Sequence, residues 1–356
     1  MSDSQTAGRP AWQTPLVVMI CGCLIAIIGF GPRSSLGLFL TPMSSLHGWG
    51  REVFALALAI QMLMWGAAQP FVGAIADRFG PITVLCAGAV LYAIGLAWMA
   101  HASSPAELYL SGGFLTGFGL AGVSFTVVIG AFGKLLPAKW RSLSFGLGTA
   151  GGSFGQFLFA PVAIGLNSVF PWQTTLLIFA AIVLTIMPLA FALSSPRRAA
   201  VNKAEAPQQS VTQALREALA HKSYIYLVLG FFTCGFQLFF ITVHLPAYLV
   251  DRGLSADVGA WTVGVIGLFN IIGSILAGYL SDKMPRRYLL AAIYFLRSLA
   301  IVIFIMLPAS FLSALAFGAA MGLLWLSTVP PTNGLIALMF GTRWLTMLAG
   351  FAFFSH

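Results

Sequence analysis

The chain has 356 residues, 59% hydrophobic and only 8% charged, with a formal net charge of +9. A soluble domain carries about 25% charged residues, so most of this surface is not built for water. The basic excess lies in short segments between apolar runs rather than in one patch, which fits membrane topology and argues against nucleic-acid binding.

Apolar stretches long enough to cross a bilayer core of about 30 Å recur along the chain. Spans are predicted at 14–42, 52–75, 82–101, 106–132, 142–168 and 172–194, then at 223–249, 258–281, 287–307 and 311–338. The first run is too long for a signal-peptide core and reads as a retained helix. A last apolar segment begins near Trp344 and reaches His356, too short to cross alone, so the sequence reads as cut off within an eleventh helix.

With the N-terminus inside, one set of loops holds Arg9, Arg78, Lys134, Lys139, Arg141, Arg197, Arg198, Lys203, Arg216, Lys222, Lys283, Arg286, Arg287 and Arg343. The opposite set holds only Arg51 and Arg252. This asymmetry predicts a cytoplasmic N-terminus in a multi-pass plasma (inner) membrane protein. The remaining two, Arg33 and Arg297, fall inside spans.

The one long polar interval is 195–222. Ser210 and Gln213 have capping-box spacing, and Val211, Leu215, Ala218 and Leu219 share a helical face. A short helix on the membrane surface is expected there. It separates a six-helix half, 1–194, from a second half, 223–356, with four full helices and part of a fifth.

An internal repeat supports that division. "GAIADRFG" (73–80) follows the second span, and "GYLSDKMPRR" (278–287) follows the second span of the latter half. Each has a glycine, three residues, an aspartate and a base: Gly73, Asp77 and Arg78, then Gly278, Asp282 and Lys283. Two six-helix units sharing one loop are the pattern of a transporter made from parallel repeats.

With these features the chain resembles the major facilitator superfamily. "RSSLGLFL", "LPAKWRSLSFGLGTAGGSFGQFLFAP", "HLPAYLVDRGLS" and "FGTRWLTMLAGFAFFSH" look like the branch of monocarboxylate porters and oxalate–formate exchangers. The resemblance implies an all-α fold of two six-helix repeats, the second incomplete here. It also implies that the first, fourth, seventh and tenth helices line a central cavity. The loop with Gly73, Asp77, Arg78 and Gly80, and its copy with Gly278, Asp282 and Lys283, would gate it, with Asp77 near the start of the eleventh helix.

Arg33 follows Pro32 among small residues, Gly29, Gly31, Ser34, Ser35 and Gly37. Proline removes a backbone donor and bends a helix, which can open space beside the guanidinium. An arginine at a helix centre costs about 2.5–3.5 kcal/mol on insertion scales. A carboxylate gripped by two parallel hydrogen bonds would offset that. All nine acidic residues fall in loops or at helix ends, so no buried acid is at hand. The absence disfavours a carrier of organic cations. Snorkelling to headgroups is the structural alternative for Arg33.

His244, Gln237, Arg297 and Trp325 are further candidates for substrate contact, with interhelical bonding as the competing role, which is stronger for Arg297. Gln156, Asn270, Ser327 and Thr328 are weaker ones. Gly148, Gly151, Gly152 and Gly155 give GxxxG spacing, read as the moving interface or as static packing. Cys21, Cys23, Cys86 and Cys234 have neither zinc nor redox spacing.

The sequence therefore predicts a secondary active transporter of a small organic anion, a monocarboxylate, working by alternating access through exchange or proton coupling. An exporter of amphiphilic compounds and a transport-inactive sensor or fragment are the alternatives. No enzyme activity, cofactor, metal site or nucleic-acid partner is expected. The partners expected are the anion, a proton and the lipid bilayer, around a monomer.

Overall fold

The computed structural model describes residues 12–194 and 209–356. Arg9, Arg197, Arg198 and Lys203 lie outside these residues. Among the described residues, ten helices are long and apolar enough to cross a membrane.

They are α1 (Pro15–His47), α2 (Arg51–Phe79), α3 (Pro81–Met99), α4 (Pro105–Leu135), α5 (Ala138–Asn167) and α6 (Trp172–Leu193), then α7 (Lys222–Asp251), α8 (Ala256–Lys283), α9 (Arg286–Met306) and α10 (Phe311–Phe340). A shorter apolar helix, α11 (Leu345–Ser355), follows. The predicted spans match in number and order, and no strand is present among the described residues.

Between α6 and α7 a linker helix, Val211–Ala220, starts with the expected capping box, Ser210 and Gln213 bonding reciprocally. Ala214 and Ala218 are buried, Val211 and Leu215 pack partly, and Leu219 stays exposed.

Several spans are interrupted. α1 carries Pro32, which cannot donate, and passes through a 3-10 turn at Leu36–Phe39. α4 widens to a π-turn at Tyr109–Leu115 and breaks between Gly122 and Phe125. α10 unwinds between Leu324 and Val329, then restarts with Pro330 and Pro331 in its first turn, where missing amide donors cost nothing.

Helices from the two halves cross twice. α2 packs on α11, and α5 on α8. Glycines allow both crossings. A Cβ on Gly73 would stand 2.6 Å from the Thr346 carbonyl oxygen, and one on Gly278 would stand 2.8 Å from that of Ser142. The GxxxG glycines do something else. Gly151 and Gly155 seat α1 against α5, and Gly148 faces Phe132 of α4. They are packing positions inside the first half, whereas Gly146, facing Gly278, lies at the junction.

Candidate functional site

At one end of the molecule Asp77 links the end of α2 to the start of α11. Its carboxylate accepts from the Met347 amide at 2.8 Å and the Thr346 amide at 3.4 Å, and from Lys134 Nζ at 2.5 Å. Its side chain is fully covered. A carboxylate over the first turn of a helix meets the positive end of the dipole and satisfies otherwise unpaired amides. Gly80 turns the chain from α2 into α3 at φ +96°, a conformation suited to glycine.

The repeated loop is built differently. Asp282 reaches Arg286 at 3.6 Å and stays partly exposed, while Arg78 and Lys283 lie over Phe79 and Tyr279. Asp77 and its copy thus share a position but not a role.

Above the Asp77 closure an aromatic cluster joins the halves. Phe30, Trp65 and Phe125 come from α1, α2 and α4, and Phe231 and Phe353 from α7 and α11. Trp65 and Phe125 meet Phe353 at 5.3 and 5.5 Å between ring centroids. Beneath it Thr126, Thr332 and Asn333 enclose a space of only about 10 Å³, room for about one water. Of its lining, Thr126 Oγ1, Thr332 Oγ1 and Asn333 Oδ1 are buried without partners among the described residues, as is Gln69 Nε2 outside it. Such unpaired polar atoms mark a place where water or a ligand would be favourable.

Arg33 sits on the other side of this cluster. Its guanidinium lies 4.8 Å over the Trp65 ring and touches Met62 Sδ. Its Nε is buried and unpaired, and no carboxylate reaches it among the described residues. The residue as a whole is half-buried. The cation–π contact orients the charge without neutralising it.

The other predicted substrate residues do not gather around Arg33. His244 is exposed on α7 with its ring 4.6 Å from Phe240. Gln237, also on α7, has a buried Oε1 with no partner among the described residues. Trp325 contributes its carbonyl rather than its ring, which packs beside the cluster around Leu245 and Phe317.

Arg297 is fully buried and spent on structure. It donates to the Leu324 carbonyl at 2.9 and 2.5 Å, to the Trp325 carbonyl and to Cys234 Sγ at 3.1 Å. These carbonyls are the ones freed where α10 unwinds. Asn270 supports the same break. It accepts from the Leu326 amide at 3.0 Å and donates to Ser153 Oγ of α5 at 2.8 Å.

Sequence reading missed Trp65, Gln69, Thr126, Asn333 and Phe353. The available signal was polar: Gln61 and Gln69 stand two turns apart in an otherwise apolar span, and Asn333 follows Pro330 and Pro331.

Ten apolar spans and an interface of crossing helices define a polytopic membrane protein of transporter architecture. The chain belongs to the Major Facilitator Superfamily, whose family model matches residues 18–356. It is a transporter and not an enzyme.

Among relatives, it is 27% identical over 339 residues to the uncharacterized MFS-type transporter YcxA of Bacillus subtilis, covering 91% of this chain and 80% of that one. It is 30% identical over 294 residues to human monocarboxylate transporter 11, covering 79% of this chain. The chain spans 60% of that relative's length. The fold is similar to that of the transporter FucP in its outward conformation, with TM-score 0.74, 15% identity and coverage of 95% of this chain and 88% of that one. The proton:xylose symporter XylE aligns at TM-score 0.65 and 16% identity, over 96% of this chain and 86% of that one.

Proposed function

We propose that the protein moves a small organic anion, a monocarboxylate, with Arg33 as the charge that receives it. The observation that carries this reading is a half-buried guanidinium held over Trp65, with no carboxylate partner among the described residues. A bound carboxylate would accept two parallel hydrogen bonds and remove the cost of the isolated charge. That several relatives are named monocarboxylate transporters supports the substrate class.

Transport proceeds by alternating access. The substrate settles on Arg33 above the aromatic cluster while Asp77 holds the opposite end shut. Release requires α11 to leave Asp77 and the Phe353 contacts to part. The Lys and Arg distribution supports a cytoplasmic Asp77 end. The 1–194 and 223–356 units act as the two rocking halves.

Coupling follows from charge. A carrier whose Arg33 stays positive reorients with a bare charge when empty and nearly neutral when loaded, which favours anion exchange. A proton on His244 would serve symport instead.

The test uses purified protein in liposomes. Labelled carboxylate is expected to exchange far faster than it leaves alone, and Arg33→Ala is expected to abolish uptake. Unchanged uptake by Arg33→Ala would sink the role given to Arg33.

A further inference from the structure

The two crossings repeat in shape but not in electrostatics. At the first, Gly73 lies under α11, and Asp77, four residues on, covers its first amides. At the second, Gly278 lies under α5, and Asp282, four residues on, turns to Arg286 instead.

The junction with α5 is occupied by cations. Arg286 Nη2 donates to Ser142 Oγ at 3.1 Å, and its Nε is buried and unpaired where the side chain passes Gly334 of α10. Arg141, next to Ser142 on α5, also has a buried, unpaired Nε and forms no ion pair among the described residues. Ser142, which accepts from Arg286, follows Arg141 directly in the chain, so both cations lie at one place along α5. Asp282, at 3.6 Å and partly exposed, is the one acid that reaches Arg286 among the described residues.

Buried donors left unpaired on two neighbouring cations are unfavourable, and one ligand would satisfy both. It must be anionic, carry several acceptor oxygens and fit between two forked donors.

We propose that Arg141, Arg286 and Ser142 form a binding site for a phosphate-type oxyanion at the same end as Asp77. Arg141 and Ser142 belong to the first half and Arg286 to the second, so the bound anion ties the halves together and favours closure there. The ligand is either free phosphate or the phosphodiester of an anionic lipid headgroup. Nothing here depends on Arg33 or on the transported substrate, so a failed uptake assay leaves it standing.

The purified chain is tested in two arms, with thermal unfolding as the readout. In the first, inorganic phosphate replaces chloride at constant ionic strength, in detergent without anionic lipid. In the second, phosphate is omitted and nanodiscs of phosphatidylcholine are compared with nanodiscs containing phosphatidylglycerol. At a ligand level about ten times its Kd, the midpoint rises by about 2–4 °C. A rise in the first arm identifies a soluble anion, and a rise in the second alone identifies the headgroup. Both require that Arg141→Gln abolish the rise while Lys139→Gln, at an exposed neighbour on α5, retains it. Among the described residues the Arg141 side chain makes no hydrogen bond or ion pair, so its variant is expected to fold even if Arg286→Gln does not. No rise in either arm, or a rise undiminished in Arg141→Gln, overturns the proposal.

Discussion

The carboxylate of Asp77 accepts the amide of Met347 at 2.8 Å, joining residues 270 apart in the chain. The same carboxylate takes Lys134 at 2.5 Å and is wholly covered. Charge-assisted bonds of this kind contribute about 1.5–3 kcal/mol each. Asp77→Asn keeps the shape but removes the charge, and its amide cannot satisfy both Lys134 and α11. The equilibrium is expected to move toward opening at this end by about tenfold or more, since about 1.4 kcal/mol is a factor of ten. Spin-label distances between the α4–α5 loop and the α10–α11 loop would report it. An unchanged distance distribution would refute the clasp.

Arg33→Lys separates charge from geometry. Lysine keeps the charge but loses the planar fork and the stack on Trp65. Uptake efficiency, kcat/KM, is expected to fall by about tenfold or more, measured as initial rates in vesicles. Trp65→Phe should retain more activity than Trp65→Ala, because the ring orients the guanidinium.

Arg297→Met tests the other buried arginine. Two carbonyls of the α10 break, Leu324 and Trp325, lose their donor. An orphaned buried acceptor costs about 1–3 kcal/mol. Thermal stability is expected to drop sharply, while KM of the folded fraction stays the same. A raised KM without loss of stability would instead assign Arg297 to the substrate.

Gly73→Ala and Gly278→Ala test the two crossings. Each added methyl meets backbone, at 2.6 Å from the Thr346 oxygen and 2.8 Å from the Ser142 oxygen, and backbone yields poorly. Each substitution is expected to destabilise by about 1–3 kcal/mol, read as a lower unfolding midpoint. Gly165→Ala, where no atom lies within 4 Å, is the control and should be neutral or better.

The spans were legible because hydropathy is a local property, and the surface helix because Ser210 and Gln213 carry its cap within four residues. The contact of Asp77 with the start of α11 came from family resemblance, and the structure places it at Met347. The α10 break was not read: Pro330 and Pro331 hinted at it, but its position is set by Arg297 and Asn270 from other helices. The absence of a buried acid near Arg33 was countable in the sequence, whereas the Trp65 face beneath it is a tertiary fact. The same holds for the GxxxG glycines, whose spacing announces close approach without naming the neighbour.

The unequal crossings have a mechanical consequence. One junction is a latch of opposite charges, and the other is a steric bearing at Gly146 and Gly278, braced by Asn270 on Ser153. A latch releases when its charges find other partners, whereas a bearing only turns. The halves would then part first where α2 meets α11, with α5 and α8 kept in contact for as long as an anion spans Arg141 and Arg286.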